Sequence, residues 1–202
     1  MPNQIVQTDE FAKATCLCRH APWRKSSGFT LLELLVALAV MSVVLTVAVP
    51  AMTATMGSIR LSSLSSTFVS HLHLARSEAI KRNGRVVLCK SPTGESCVGS
   101  GGWEQGWIVF HDINNNAMLE PGETVIQREG AMPAGFRLVG NLNVAKYVSY
   151  SATGSAKLVT GAFQAGTLTL CQPLAPDGAV RHIVISSTGR PRIHKDNLTA
   201  CL

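Results

Sequence analysis

From residue 29 to residue 49 the chain is apolar almost without interruption, and Glu33 is the only charge in the run. About 21 residues at a helical rise of about 1.5 Å each are enough to cross a bilayer core. Pro50 closes the run, where its missing amide donor is expected to kink or interrupt the helix. Beyond it the pattern changes. Leu61, Leu64, Phe68, Leu72, Ala75 and Ala79 recur at spacings of three and four, with Ser62, Ser66, Ser70 and Arg76 between them. That is the period of a helix with one apolar stripe. Asn83-Gly84 predicts its C-terminus. The result is one long helix, apolar all round in its first half and amphipathic in its second.

The rest of the chain predicts strands. Residues 85–90, 106–111, 123–128, 135–139, 147–151, 166–171 and 181–186 are short, rich in β-forming residues and bounded by Gly, Pro or Asn. No second amphipathic helix separates them, so an antiparallel arrangement is expected rather than βαβ units. The chain therefore reads as α+β, with one compact domain behind an anchoring segment.

Residues 1–28 are polar and end in Arg24-Lys25-Ser26-Ser27-Gly28. They contain no apolar run, unlike a secretory signal peptide. Two basic residues just before the greasy segment predict an inside N-terminus and an outside C-terminal domain. Cysteine placement agrees. Cys16 and Cys18 precede the segment, whereas Cys89, Cys97, Cys171 and Cys201 follow it, on the side where disulfides form. Four cysteines allow three pairings, of which Cys89 with Cys97 and Cys171 with Cys201 closes the shortest loops. A metal site is the rival reading, but the four show no CxxC or zinc-type histidine spacing.

Ser27-Gly28-Phe29-Thr30-Leu31-Leu32-Glu33, ahead of the apolar run, resembles the cleavage and methylation motif of type IV prepilins and type II secretion pseudopilins. The resemblance implies that a prepilin peptidase cuts after Gly28 and that Phe29 becomes an N-methylated first residue. Glu33 would then be the fifth residue and Pro50 the twenty-second. A lone carboxylate in a membrane helix costs about 2.5–3.5 kcal/mol on insertion scales, so it needs a partner or a use. In pilins that use is docking against a neighbour's N-terminus. The alternative is an ordinary signal anchor with a chance glutamate.

Gly102-Trp103-Glu104-Gln105-Gly106-Trp107, Asp112-Ile113-Asn114-Asn115-Asn116, Tyr147-Val148-Ser149-Tyr150 and Ser187-Thr188-Gly189-Arg190-Pro191-Arg192 extend the likeness to the FimT/GspH minor pilins and pseudopilins. That family implies a long helix packed on antiparallel β-sheets and a place among the low-abundance pilins at a filament tip. The implied division is a leader over 1–28, a transmembrane and assembly helix over 29–50, an amphipathic continuation over 51–84 and a periplasmic β domain over 85–202. It also implies a single-pass protein of the inner membrane, other pilins as partners and no cofactor. Some FimT-like members bind DNA for uptake through Gly-Arg-x-Arg, here Gly189-Arg190-Pro191-Arg192. By that likeness Arg190 and Arg192, and by their nearness in sequence Arg181 and Lys195, are candidate contacts to double-stranded DNA. The competing reading is a solvated turn whose arginines pair with Asp177 or Asp196.

A net charge of +6 permits an acidic partner without requiring one. Asp112, Asn114, Asn116 and Glu123 occupy EF-hand positions, but Ala117 stands where that loop needs glycine, so an Asx-rich hairpin loop is expected. His71 and His73, two apart on a helix, face different ways and read as surface residues. Trp103 and Trp107 read as core anchors. Serines are plentiful without a nucleophile elbow, and no enzyme is expected.

Overall fold

The computed structural model describes residues 28–173 and 178–197. The chain divides into two compact units, with the boundary between Val44 and Leu45. The helix α1 spans Leu31–Arg82. Pro50, expected to kink or interrupt it, does not interrupt it; the backbone stays helical on both sides. One lost amide bond costs about 3 kcal/mol, and in a helix of 52 residues the remaining bonds hold the turn. Its end is a Schellman motif. Asn83 takes φ 49, its N–H donates to Ile80 O at 3.2 Å, and the Gly84 N–H donates to Ala79 O at 3.1 Å.

Among the described residues eight strands follow: β1 Arg85–Lys90, β2 Trp107–Asp112, β3 Val125–Glu129, β4 Arg137–Gly140, β5 Tyr147–Tyr150, β6 Gly166–Cys171, β7 Ala179–Ile185 and β8 Pro191–Asn197. They form two antiparallel four-stranded sheets, ordered β3-β2-β1-β5 and β4-β6-β7-β8. Seven strands were expected, at bounds within two residues of these. β8 is the addition. Only Ile193 in it is apolar between Pro191 and Asn197. Such a charged sequence suits an edge strand, where backbone pairing rather than an apolar face holds it.

The predicted apolar stripe of α1 is the face that meets both sheets. Leu61, Phe68, Leu72, Ala75 and Ala79 are buried against Val86, Leu88, Val109 and Val148 of the first sheet and Leu138, Leu170, Ile183 and Ile185 of the second. Phe68 sits edge-on to Trp103 and Trp107, with ring centroids 5.3 and 5.0 Å away. The period of two along β1 builds a second, smaller core on the other face of its sheet. There Val87 and Cys89 pack with Ile108, Phe110 and Ala117. Cys89 and Cys97 are joined by a disulfide. The adjacent Lys90 is buried, and its ammonium donates to Gly99 O at 3.0 Å and Gly101 O at 2.7 Å. Burial pushes its pKa down, and these two carbonyls replace the water it lost.

Candidate functional site

The helix begins with a cap. Thr30 lies just before its first residue, and the Thr30 Oγ1 accepts the N–H of Glu33 at 3.2 Å. Thr30-x-x-Glu33 is the sequence pattern of a capping box, in which a carboxylate at the third helical position also favours the positive end of the helix. Glu33 thus has a local role besides any intersubunit one, and the spacing in the sequence signals it. Phe29 is 83% exposed. From Leu31 to Val49 the helix has mean hydropathy 2.6 and buries none of its residues within the protein. An exposed apolar run of this length requires lipid or other chains around it.

The Asx-rich loop between β2 and β3 keeps its carboxylates engaged within itself. Asp112 is buried and accepts the N–H groups of Asn116 and Ala117 at 3.1 and 2.9 Å. Glu123 accepts those of Ile113 and Glu120 at 2.8 and 3.1 Å. Asn115 and Ala117 have φ 63 and 58, so the sharp turn is made without glycine.

The proposed cationic cluster is split by the strands that carry it. Arg190, Arg192 and Lys195 are exposed, but Arg181 is only 5% exposed. It lies in phase with Ile183 and Ile185 on the core side of β7. Its Nη1 donates to Val180 O at 2.9 Å and its Nη2 contacts Ser58 Oγ at 3.4 Å, while Nε has no partner among the described residues. Arg181 therefore cannot serve a surface ligand. Lys195 pairs in register with Arg181, whereas Arg192 and His194 pair with Val184 and His182. The two-residue period of β8 puts Lys195 on the opposite face from Arg192. What comes together instead is Arg190, Arg192 and His194 with Arg76 of α1, around a groove of about 530 Å³. Arg76 was not among the candidates; nothing in the sequence ties it to residues more than a hundred positions later. The predicted pairing of arginines with acids falls partly on Asp177, outside the described residues. Asp196 lies 3.9 Å from His182 Nε2.

Cys171 is buried in β6 and disulfide-bonded. Cys201, its expected partner, lies outside the described residues, as do Cys16, Cys18, Arg24 and Lys25.

His71 is not the surface residue expected. It is half-buried, and its Nδ1 accepts the Trp107 Nε1–H at 3.0 Å, which ties α1 to β2. Nε2 then carries the proton and stands 4.0 Å from Glu129. Burial lowers its pKa below 6.5 and outweighs the opposing pull of Glu129. The unfolded chain therefore takes up the proton first. Stability from this group is fully present above about pH 6.5 and falls as pH drops below it. His71→Gln, whose amide oxygen can still accept from Trp107, is expected to lessen that loss. Thermal melts across pH 5 to 7.5 check this, and parallel curves for the two proteins would refute it.

Comparison with known proteins decides the family. Residues 64–189 match the family described as type II transport protein GspH, and residues 23–49 match the prokaryotic N-terminal methylation motif. The chain belongs to the GspH family of minor pilins and pseudopilins. It is 31% identical over 169 residues to the pilin-like protein PilA1 of Thermus thermophilus, covering 82% of this chain and 97% of that one. Its fold is similar to that of the type IV minor pilin FimU of Pseudomonas aeruginosa in two crystal forms. One has TM-score 0.51 at 19% identity over 70% of this chain and 95% of that one; the other has 0.50 at 18% over 70% and 100%. Family and fold are those of structural pilins. The apolar helix and the methylation motif mark a membrane-anchored chain that associates with other pilins.

Proposed function

We propose that this minor pilin is made as a prepilin with residues 1–28 as its leader, cut after Gly28 by a prepilin peptidase and N-methylated at Phe29. In this reading residues 29–50 hold it in the inner membrane and later pack among other subunits at the tip of a type IV pilus or secretion pseudopilus. Residues 51–84 continue the helix, and residues 85–202 form a periplasmic domain. The basic pair Arg24-Lys25 supports that orientation, as does the disulfide between Cys89 and Cys97. The observation that carries the reading is the uncovered apolar segment Leu31–Val49 with one acid in its first turn.

Glu33→Gln is the informative variant, because the Thr30 cap is made to the backbone N–H of residue 33 and survives, while the charge is removed. It is expected to be cleaved and to insert normally but to reach filaments about tenfold less, the effect of losing about 1.4 kcal/mol in docking. Mass spectrometry of the mature protein should find methylated phenylalanine at its amino end, and immunoblots of sheared filaments read incorporation. A leader left intact, or trimming past Val49, would overturn the reading. Of the residues named for double-stranded DNA, Arg190 and Arg192 remain available on the groove, and DNA is the rival outcome in the experiment below.

A further inference from the structure

Among the described residues, strand β8 is the last in its sheet and pairs with β7 alone. The outer edge of such a strand offers alternating N–H donors and C=O acceptors to a further strand. Beside it lies the groove lined by Arg76, Ser186, Thr188, Arg190, Arg192 and His194, with Val184 as its apolar wall and no carboxylate among the lining residues. The groove is braced. Arg76 Nε donates to Gly154 O at 2.9 Å, and the Ser186 and Thr188 hydroxyls are 2.8 Å apart across the turn that leads into β8.

We propose that this edge and groove receive an acidic β-strand from a different pilin subunit. Residues two apart on a strand share a face and lie roughly 6.5–7 Å apart. Carboxylates at alternate positions of an added strand therefore match the spacing of Arg192 and His194, and Arg190 and Arg76 supply charge beyond them. Guanidinium groups favour carboxylates through paired hydrogen bonds. A nucleic-acid backbone offers acceptors alone and leaves the edge carbonyls of β8 unpaired, whereas a peptide satisfies both halves of the ladder. Among the described residues no aromatic side chain lines the groove for base stacking. The chain's own acidic turn is a poor occupant, because Glu120 and Glu123 are engaged within their loop. The proposal rests on the pilin reading, since the partner is a filament subunit.

The test uses the full chain in detergent micelles and a fluorescein-labelled peptide of alternating Glu and Thr. Anisotropy is expected to show saturable binding that weakens about tenfold in Arg190→Gln/Arg192→Gln, and stays unchanged in Arg137→Gln on β4. N-methylation of alternate peptide amides, which leaves the charge intact, is expected to weaken binding by about the same factor. Equal binding of the N-methylated peptide, or of a Gln/Thr peptide, would overturn the proposal. So would a short DNA duplex that binds more tightly than the peptide and loses its affinity in the same double variant. Processing of the same preparations at Phe29 is read separately by mass spectrometry, so a correctly matured chain that ignores the peptide defeats the groove and not the pilin reading.

Discussion

Phe68→Ala is expected to lower the stability of the folded domain by about 3–5 kcal/mol. Phe68 is fully buried, and it is the side chain through which α1 meets both tryptophans. A cavity costs least when its neighbours can fall into it. Here they are held: Trp103 Nε1 donates to Val144 O at 3.0 Å and Trp107 Nε1 to His71 Nδ1 at 3.0 Å. Neither ring can tilt into the space without giving up a hydrogen bond, so the upper part of the range applies. For a domain of this size each kcal/mol moves Tm by about 2–4 °C, and the drop should exceed about 6 °C. Phe68→Leu should recover more than half of it. Melting of the full chain in detergent reads both variants. An alanine variant within about 2 °C of the parent would mean that α1 is not locked to the sheets at this point.

The same residues show how much could be read from the sequence. Spacings of three and four between Leu61 and Ala79 mark the buried face of α1, because one face of the helix packs on the sheets and the other meets solvent. Asn83-Gly84 named its end, since a left-handed residue followed by glycine makes a local motif. Pro50 does not interrupt the helix, because the long helix on both sides outweighs one local breaking residue. β8 carries no strand signal of its own, because its pattern has no apolar alternation; pairing with β7 makes it a strand. Arg181 could have been placed. Its step of two to Ile183 and of two more to Ile185 puts it on the core face. For His71 and Arg76 no local signal existed. Their partners, Trp107 and Gly154, lie 36 and 78 residues away, and only the tertiary register brings them together.

Gly189→Ala bears on the most function-like motif in the chain, and it is expected to cost about 3 kcal/mol or more by unmaking the turn rather than a contact to a ligand. Gly189 has φ +78, in the region that side chains avoid. A Cβ there would lie 2.3 Å from Gly154 O, 3.0 Å from Tyr150 Cε1 and 3.1 Å from Ala156 N. Two of those three neighbours are backbone atoms that no rotamer change can move. The Gly189 N–H also donates to Ser186 O at 2.8 Å, closing the turn that sends β8 back along β7. The glycine of Gly189-Arg190-Pro191-Arg192 is therefore required by packing, and the arginines on either side of Pro191 are carried into place by it. The two roles separate in experiment. Gly189→Ala should lower Tm by roughly 6–12 °C and weaken peptide binding with it. Arg190→Gln/Arg192→Gln should leave Tm within about 2 °C, as exposed substitutions do, while abolishing most of the binding. A glycine variant that melts like the parent would show that the turn can form away from Gly154, and the groove would then lack the rigid floor on which Arg190 and Arg192 depend.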